Sequence, residues 1–403
     1  MMMKNIRFGI IGCGLMGREF ASAAMRWGHL LDSDARPEIV AICDTNASLH
    51  TWYQTHVPSL RLVTDDYTAL LADKEIDAVY VAVPHHLHEE IYCAVIESGK
   101  ALMGEKPFGI DQAANRKITE CLQAHPDVLV RCASEFPFIP AVQRIGQMIE
   151  NTEFGRIIEV EAGFLHSSDL DPDKAINWKR MIRYNGRYGC LGDLGMHVCH
   201  VPFRAGWLPR NVRAVLSNIV EQRPDGQGDL VPCETWDNAT LLCEAVDPVT
   251  GKPFPMTLKT QRIAPGEKDT WYLSVLGTQA SARFSTKNPK RLRQLKYDGG
   301  EQIWGQIDMG YETSYETITG KIFEFGFSDA ILQMWAGFLH ELTGKSLPGR
   351  FAGCATPNEA TMSHRLFTAA LESHENGTVV PVEWRSSGKS GNPNVGANQD
   401  CSH

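Results

Sequence analysis

Ile6-Arg7-Phe8-Gly9-Ile10-Ile11-Gly12-Cys13-Gly14-Leu15-Met16-Gly17 is the stretch whose reading decides the fold. A short apolar run ends in a Gly-x-Gly-x-x-Gly turn, and a helical stretch from Gly17 to Trp27 follows. Each glycine has a physical role. Gly12 allows the tight turn after the strand, Gly14 lets backbone approach a pyrophosphate, and Gly17 lets the helix pack close to the sheet. The helix start, including Leu15 and Met16, offers free N–H groups and the positive end of the helix dipole to phosphates.

The next apolar strand, Glu38 to Cys43, ends at Asp44. An acid there accepts both ribose hydroxyls of NAD and repels the 2′-phosphate of NADP. Its neighbours Thr45 and Asn46 bring no arginine to hold that phosphate, so the reading favours NAD over NADP. Asp44 falls later than the usual spacing of about 20 residues, and the polar segment Gly28 to Pro37 lengthens the connection.

Outward from this unit, strand-like and helix-like segments alternate. Asp77 to Val83 is a buried strand stopped by Pro84, His88 to Ser98 a helix, Ala101 to Gly104 a strand, and Gln112 to Ala124 a helix. Near-continuous apolar strands alternating with helices imply a parallel sheet covered on both faces. After about residue 135 the pattern changes to successive strands (Arg156 to Phe164, Val212 to Val220, Asn238 to Glu244, Met256 to Gln261, Trp271 to Leu276, Ala280 to Ser285). That predicts a largely antiparallel sheet. The division is 1–134 as a dinucleotide-binding Rossmann domain and 135–384 as a substrate-binding α+β domain. The end, 385–403, is rich in Ser, Gly and Asn and is expected to be disordered.

Gly104-Glu105-Lys106-Pro107 places a lysine at the end of a strand of the first domain, where the reactive ring of a dinucleotide lies. Pro84-His85-His86-Leu87-His88 ends another strand; Pro84, His85 and His88, with Glu105, are expected to line the cofactor groove. The metal reading of these histidines lacks a matching cysteine or carboxylate spacing. Asp193 and His197 are four apart and share a helix face. A dehydrogenase of alcohols needs a base for the hydroxyl proton and a group to steady the oxygen. His197 suits the first task and Lys106 the second, while Asp193 orients the imidazole or binds substrate. A metal site of Asp193, His197 and His200 is the less favoured alternative.

With these residues in place, the chain resembles the Gfo/Idh/MocA oxidoreductases, the family of glucose-fructose oxidoreductase and inositol dehydrogenase. The resemblance covers nearly the whole chain and rests on Gly12-x-Gly14-x-x-Gly17, Pro84 with His88, Glu105-Lys106-Pro107 and Asp193-x-x-x-His197. It implies a Rossmann domain plus an α+β domain with a large open, mostly antiparallel sheet, whose flat face mediates dimers or tetramers. It also implies that Lys106, Asp193 and His197 match the family's catalytic lysine, aspartate and histidine. Departures are Arg187-Tyr188 before Gly189, where glycines are common, and Gly192, where a bulkier residue is common. Asn177-Trp178-Lys179-Arg180 resembles the family's Trp-Arg element. Trp178, Lys179 and Tyr188 are therefore expected to hold substrate beside Lys106, Asp193 and His197.

The composition fits this reading. The 403 residues are 43% hydrophobic and 22% charged, ordinary for a globular protein of two domains. A formal charge of −9 argues against nucleic acid, which needs clustered Lys and Arg; Lys287 to Lys296 reads as a solvated strand or loop. No run of 18 or more apolar residues exists, so no membrane span is expected. Eleven scattered cysteines without a CxxC pair fit a reducing, cytoplasmic setting. The expectation is an NAD-dependent dehydrogenase of a sugar, cyclic polyol or sugar derivative. The alternative is an NAD-dependent glycosidase that oxidises its substrate transiently, without net NADH. A sensor that binds the cofactor without catalysis is disfavoured by the intact Lys106, Asp193 and His197.

Overall fold

The computed structural model describes residues 3–384 except 32, 310, 311, 321, 323 and 324. The expected disordered end, 385–403, lies outside the described residues. Six parallel strands form the first sheet: β1 (Lys4–Ile11), β2 (Ala35–Cys43), β3 (Leu62–Thr64), β4 (Ala78–Val81), β5 (Ala101–Gly104) and β6 (Val130–Cys132). Their order is β3-β2-β1-β4-β5-β6, which reverses direction at β1. The crevice beyond the strand ends at such a switch point is where open α/β sheets bind ligands. The strands are buried because helices cover both faces. On one face, Phe8 and Phe20 pack with Trp335, and Phe20 stacks on Trp335 at 3.7 Å. On the other, the helices His88–Glu97 and Gln112–Ala124 enclose Val79, Val81 and Leu102.

The second sheet holds β7 (Ile157–Leu165), β8 (Leu208–Ser217), β11 (Asn238–Val246), β12 (Pro253–Gln261), β13 (Thr270–Gly277), β14 (Ala280–Ser285), β15 (Arg291–Lys296), β16 (Gly305–Asp308) and β17 (Val380–Pro381). Strands β9 (Gln222–Pro224) and β10 (Leu230–Pro232) form a separate ribbon. The large sheet runs β16-β15-β14-β13-β7-β12-β11-β8-β17 and is antiparallel except for β7 beside β12. The charged segment around Lys290 to Lys296 thus supplies β15, which lies between β14 and the edge strand β16. Helices Pro140–Glu150, Cys190–Arg204 and Pro357–Asn376 share one hydrophobic core with this sheet. On the other side, Ile158, Val215 and Leu242 stand exposed.

Two connections lock the sheets together. Helix Phe327–Leu342 falls late in the sequence yet packs on the first sheet, through Ile331, Met334, Trp335 and Phe338. Helix Cys190–Arg204 lies in the second core but sends Met196 into the first. That helix carries Asp193 and His197. Its glycines are packing requirements: a Cβ on Gly195 would come within 2.6 Å of the Phe367 ring, and one on Gly189 within 2.6 Å of the Trp236 nitrogen. Helix Pro357–Asn376, which supplies Phe367, is fixed by a capping box of Thr356 and Glu359 and closed by left-handed Gly377.

Candidate active site

The glycine turn is shaped by its own backbone. Gly12 has φ +100, and a Cβ there would lie 2.2 Å from the Ala82 carbonyl oxygen; a Cβ on Gly17 would lie 2.3 Å from the Gly12 carbonyl oxygen. A Cβ on Gly14, by contrast, meets no protein atom within 4 Å, so internal packing does not demand glycine there. Leu15 is exposed at the start of the helix Leu15–Met25. Asp44 lies at the end of β2, and its Oδ2 accepts the Cys13 N–H at 2.7 Å. The acid is thereby pinned beside the turn, half-buried, with Asn46 N–H on its Oδ1 at 2.8 Å. The turn, the helix start and Asp44 fit an adenine dinucleotide: N–H groups for pyrophosphate and an oriented carboxylate for ribose. Gly12→Ala is expected to abolish measurable NADH binding and lower the melting temperature by several degrees, since φ strain and overlap add; fluorescence titration and thermal melting check this.

Lys106 follows β5, and its Nζ donates to the backbone carbonyl and to Oδ1 of Asp193, the latter at 3.0 Å. Lys179 reaches the same carboxylate at 3.0 and 3.2 Å. Arg262, one residue beyond β12, donates to its other oxygen. Asp193 is 1% exposed, so it is a buried carboxylate ringed by three cations. Burial acts to raise its pKa, but Arg262, Lys106 and Lys179 override this and hold it well below the usual carboxylate range. Lys179 is brought down to about 8 by burial, against the pull of Asp193. Behind it, Arg180 is wholly buried and bonds Asp169 and Asp237, and Arg262 lies 3.5 Å from Asp169.

His197 stands one turn along the helix from Asp193, at 5% exposure. Its ring is clamped edge-on by Phe136 at 5.3 Å and Phe164 at 5.5 Å, and its carbonyl accepts the Trp271 indole N–H at 3.0 Å. Burial first, then Lys106, keeps it uncharged. Its Nδ1 faces Ser134 Oγ at 3.5 Å and Glu135 Oε2 at 3.8 Å. The expectation that Asp193 orients the imidazole is therefore corrected. Shared helix face does not give contact here, because both carboxylate oxygens are taken by cations.

Other expected residues divide. Trp178 packs edge-on against His85 at 5.0 Å, and His85 is buried with its Nδ1 3.3 Å from the Asn185 carbonyl oxygen. Pro84 precedes this short turn and is part-buried. His88 is not brought to the cofactor groove. It is fully buried, stacks on Tyr92 at 4.7 Å, and accepts the Gly109 N–H at Nδ1. Glu105 also turns inward, where Tyr80 donates to it at 2.6 Å; it anchors the strand end that carries Lys106. Tyr188 faces helix Pro357–Asn376 instead of the site: it is 4% exposed, with Thr368 Oγ1 at 2.7 Å. His200 lies beside Glu359 at 3.8 Å, away from the Asp193 cluster. Among the described residues no group of three or more His, Cys, Asp or Glu is placed to hold a metal ion, and no helix is long and apolar enough to cross a membrane. Arg262, Ser134 and Glu135 were not legible in the sequence. They stand just beyond strand ends, and only the meeting of the two sheets brings them to Asp193 and His197.

Residues 6–132 match the family model described as the Gfo/Idh/MocA oxidoreductase family with NAD-binding Rossmann fold. Residues 6–132 thus carry the NAD-binding Rossmann domain of the Gfo/Idh/MocA oxidoreductases. The protein is an NAD(P)-dependent oxidoreductase, and the matched domain is of the NAD-binding kind. A levoglucosan dehydrogenase of Pseudarthrobacter phenanthrenivorans is 25% identical over 306 residues, 72% of this chain and 76% of that protein. A 2,7-anhydro-N-acetylneuraminate hydratase of Mediterraneibacter gnavus is 24% identical over 224 residues, 55% of this chain and 54% of that one. The solved structure of a levoglucosan dehydrogenase with NADH and L-sorbose superimposes with a TM-score of 0.83 at 21% identity, covering 94% of this chain and all of that one. This last likeness is one of fold.

Proposed function

We propose that this oxidoreductase acts on a hydroxyl of a sugar, cyclic polyol or sugar derivative, with NAD as its partner in hydride transfer. The observation that carries the reading is the convergence of Lys106 and Lys179 on buried Asp193, with His197 on the same helix. NAD, held by the Gly12 to Gly17 turn and Asp44, supplies the hydride acceptor when bound. Lys106 steadies the substrate oxygen as negative charge develops. His197, uncharged at neutral pH, takes the hydroxyl proton. Asp193 holds both ammonium groups in place, and Trp178 and Lys179 bind the remaining hydroxyls. His197→Asn is expected to lower turnover about 10²- to 10⁴-fold with unchanged NADH affinity; equal losses in both would remove His197 from the chemistry.

Asp44 supports NAD over NADP. Asp44→Ala is expected to raise the NAD dissociation constant about tenfold while leaving NADP binding equal or better, as parallel titrations of both would show. A second reading retains the same residues but regenerates NAD within each cycle. It is favoured by the relative named a hydratase, a reaction without net redox change, and predicts product release without NADH accumulation. We further propose a homodimer or homotetramer through the sheet face bearing Ile158, Val215 and Leu242. Light scattering tests this, and a monomer at micromolar concentration would oppose it.

A further inference from the structure

We propose that Glu135 is the proton outlet of the site, a positioning residue that draws the Nδ1 proton of His197 toward a solvent-facing cavity at the ends of β13 and β14. The inference rests on the reading of His197 as the base. Its grounds are geometric. Glu135 Oε2 is 3.8 Å from His197 Nδ1, with Ser134 Oγ alongside at 3.5 Å from the same nitrogen. Catalytic hydrogen bonds are often this long before substrate tightens the site. Glu135 also lines a cavity of 540 Å³, together with Phe136, Ile139, Lys268, Asp269 and Lys287. Lys268, Asp269 and Lys287 are exposed at its rim. One carboxyl group therefore lies between the imidazole, 3.8 Å away, and a route to water.

Glu135 is 5% exposed, and among the described residues no lysine or arginine is paired with it. A buried carboxyl without a cation costs stability, so packing alone does not account for it, and such groups concentrate at functional sites. The charges that bear on it are Glu105, Lys106 and Asp269; those that bear on His197 are Lys106, Asp193, His200 and His166. Burial, with Glu105 and Asp269, pushes Glu135 up to about 8 against Lys106.

The proton count closes. As the C–H electron pair of the alcohol leaves as hydride, the hydroxyl proton goes to His197 Nε2. The Nδ1 proton passes to the Glu135 carboxylate, and the resulting acid gives it to solvent in the cavity. Neither residue is changed over the cycle, and carbonyl reduction runs the same path backward. Glu135 must be ionised to accept, so oxidation rises with pH through the region near 8. Lys179 titrates in the same region, so the assignment needs variants of Glu135 itself.

The test compares wild type, Glu135→Gln and Glu135→Asp as full chains. One arm records ¹⁵N signals of the His197 imidazole with NADH bound, assigned by their loss in His197→Asn. The other records turnover against pH with whichever sugar or polyol wild type oxidises. Glu135→Gln is expected to shift the His197 tautomer balance away from Nδ1–H and lower turnover about 10- to 100-fold. The limb near pH 8 is expected to flatten at unchanged NADH affinity, and Glu135→Asp to restore it. Wild-type signals and pH profile in Glu135→Gln would overturn the proposal. So would loss of NADH binding and folding in step with turnover, without rescue by aspartate. If wild type oxidises nothing in the panel, the functional reading fails separately, and the NMR arm still decides whether Glu135 governs His197.

Discussion

Replacing Lys106 with methionine is expected to lower turnover about 10³-fold while NADH affinity stays within about threefold. Lys106 is 16% exposed at its side chain and bonds Asp193 at two atoms. Methionine keeps the length and apolar stem but removes the charge. What is lost is stabilisation of the oxygen as its proton departs, an interaction stronger in the transition state than in the ground state. Cofactor affinity should hold because the turn at Gly12 to Gly17 and the Asp44 carboxylate lie on other strands. A deficit confined to KM would show that Lys106 only binds substrate.

The second large effect is expected at Asp193. Asp193→Asn leaves Lys106, Lys179 and Arg262 gathered around a neutral amide. Breaking a buried ion pair from one side costs about 3–5 kcal/mol. Both stability and turnover should therefore fall, unlike in Lys106→Met. The pH dependence has a definite sign. The folded-state pKa of Asp193 is depressed by Arg262, Lys106 and Lys179 against burial. Its stabilising contribution is thus complete above the unfolded value of about 4 and lost as pH falls below it. Urea unfolding of wild type and Asp193→Asn across acidic pH should converge as pH drops. A gap that stays constant with pH would place the loss in packing instead of charge.

The parallel sheet was legible because its strands other than β3 are apolar runs bounded by turn residues, a signal that needs no tertiary information. The strand Ala101–Gly104 and helix Gln112–Ala124 fall where the sequence places them. The short edge elements β3, β16 and β17 were not read, because two to four residues carry no periodicity. Nothing local in the sequence shows that the apolar face of helix Phe327–Leu342 meets Phe8 and Phe20.

The site divides in the same way. Motifs named Lys106, Asp193 and His197 as candidates and Trp178 drew in its neighbour Lys179; the structure gathers both lysines on Asp193. Tyr188 and His88 look equally suited to ligands in one dimension, yet their polar atoms are satisfied inside the core. The partner of His197 was sought four residues away on its own helix. It comes instead from beyond β6, where Ser134 and Glu135 meet the ring. Spacing along a helix names a shared face, but competition among cations decides which neighbour a carboxylate serves.

The most direct test of the central claim follows NADH absorbance with purified protein, NAD and a panel of free sugars, inositols, anhydrosugars and aryl glycosides. Lys106→Met runs in parallel, and released aglycone is read in the same wells. The account predicts absorbance rising with at least one hydroxylated ring for wild type and not for Lys106→Met. No NADH and no product across the panel, from protein that binds NADH, would contradict it.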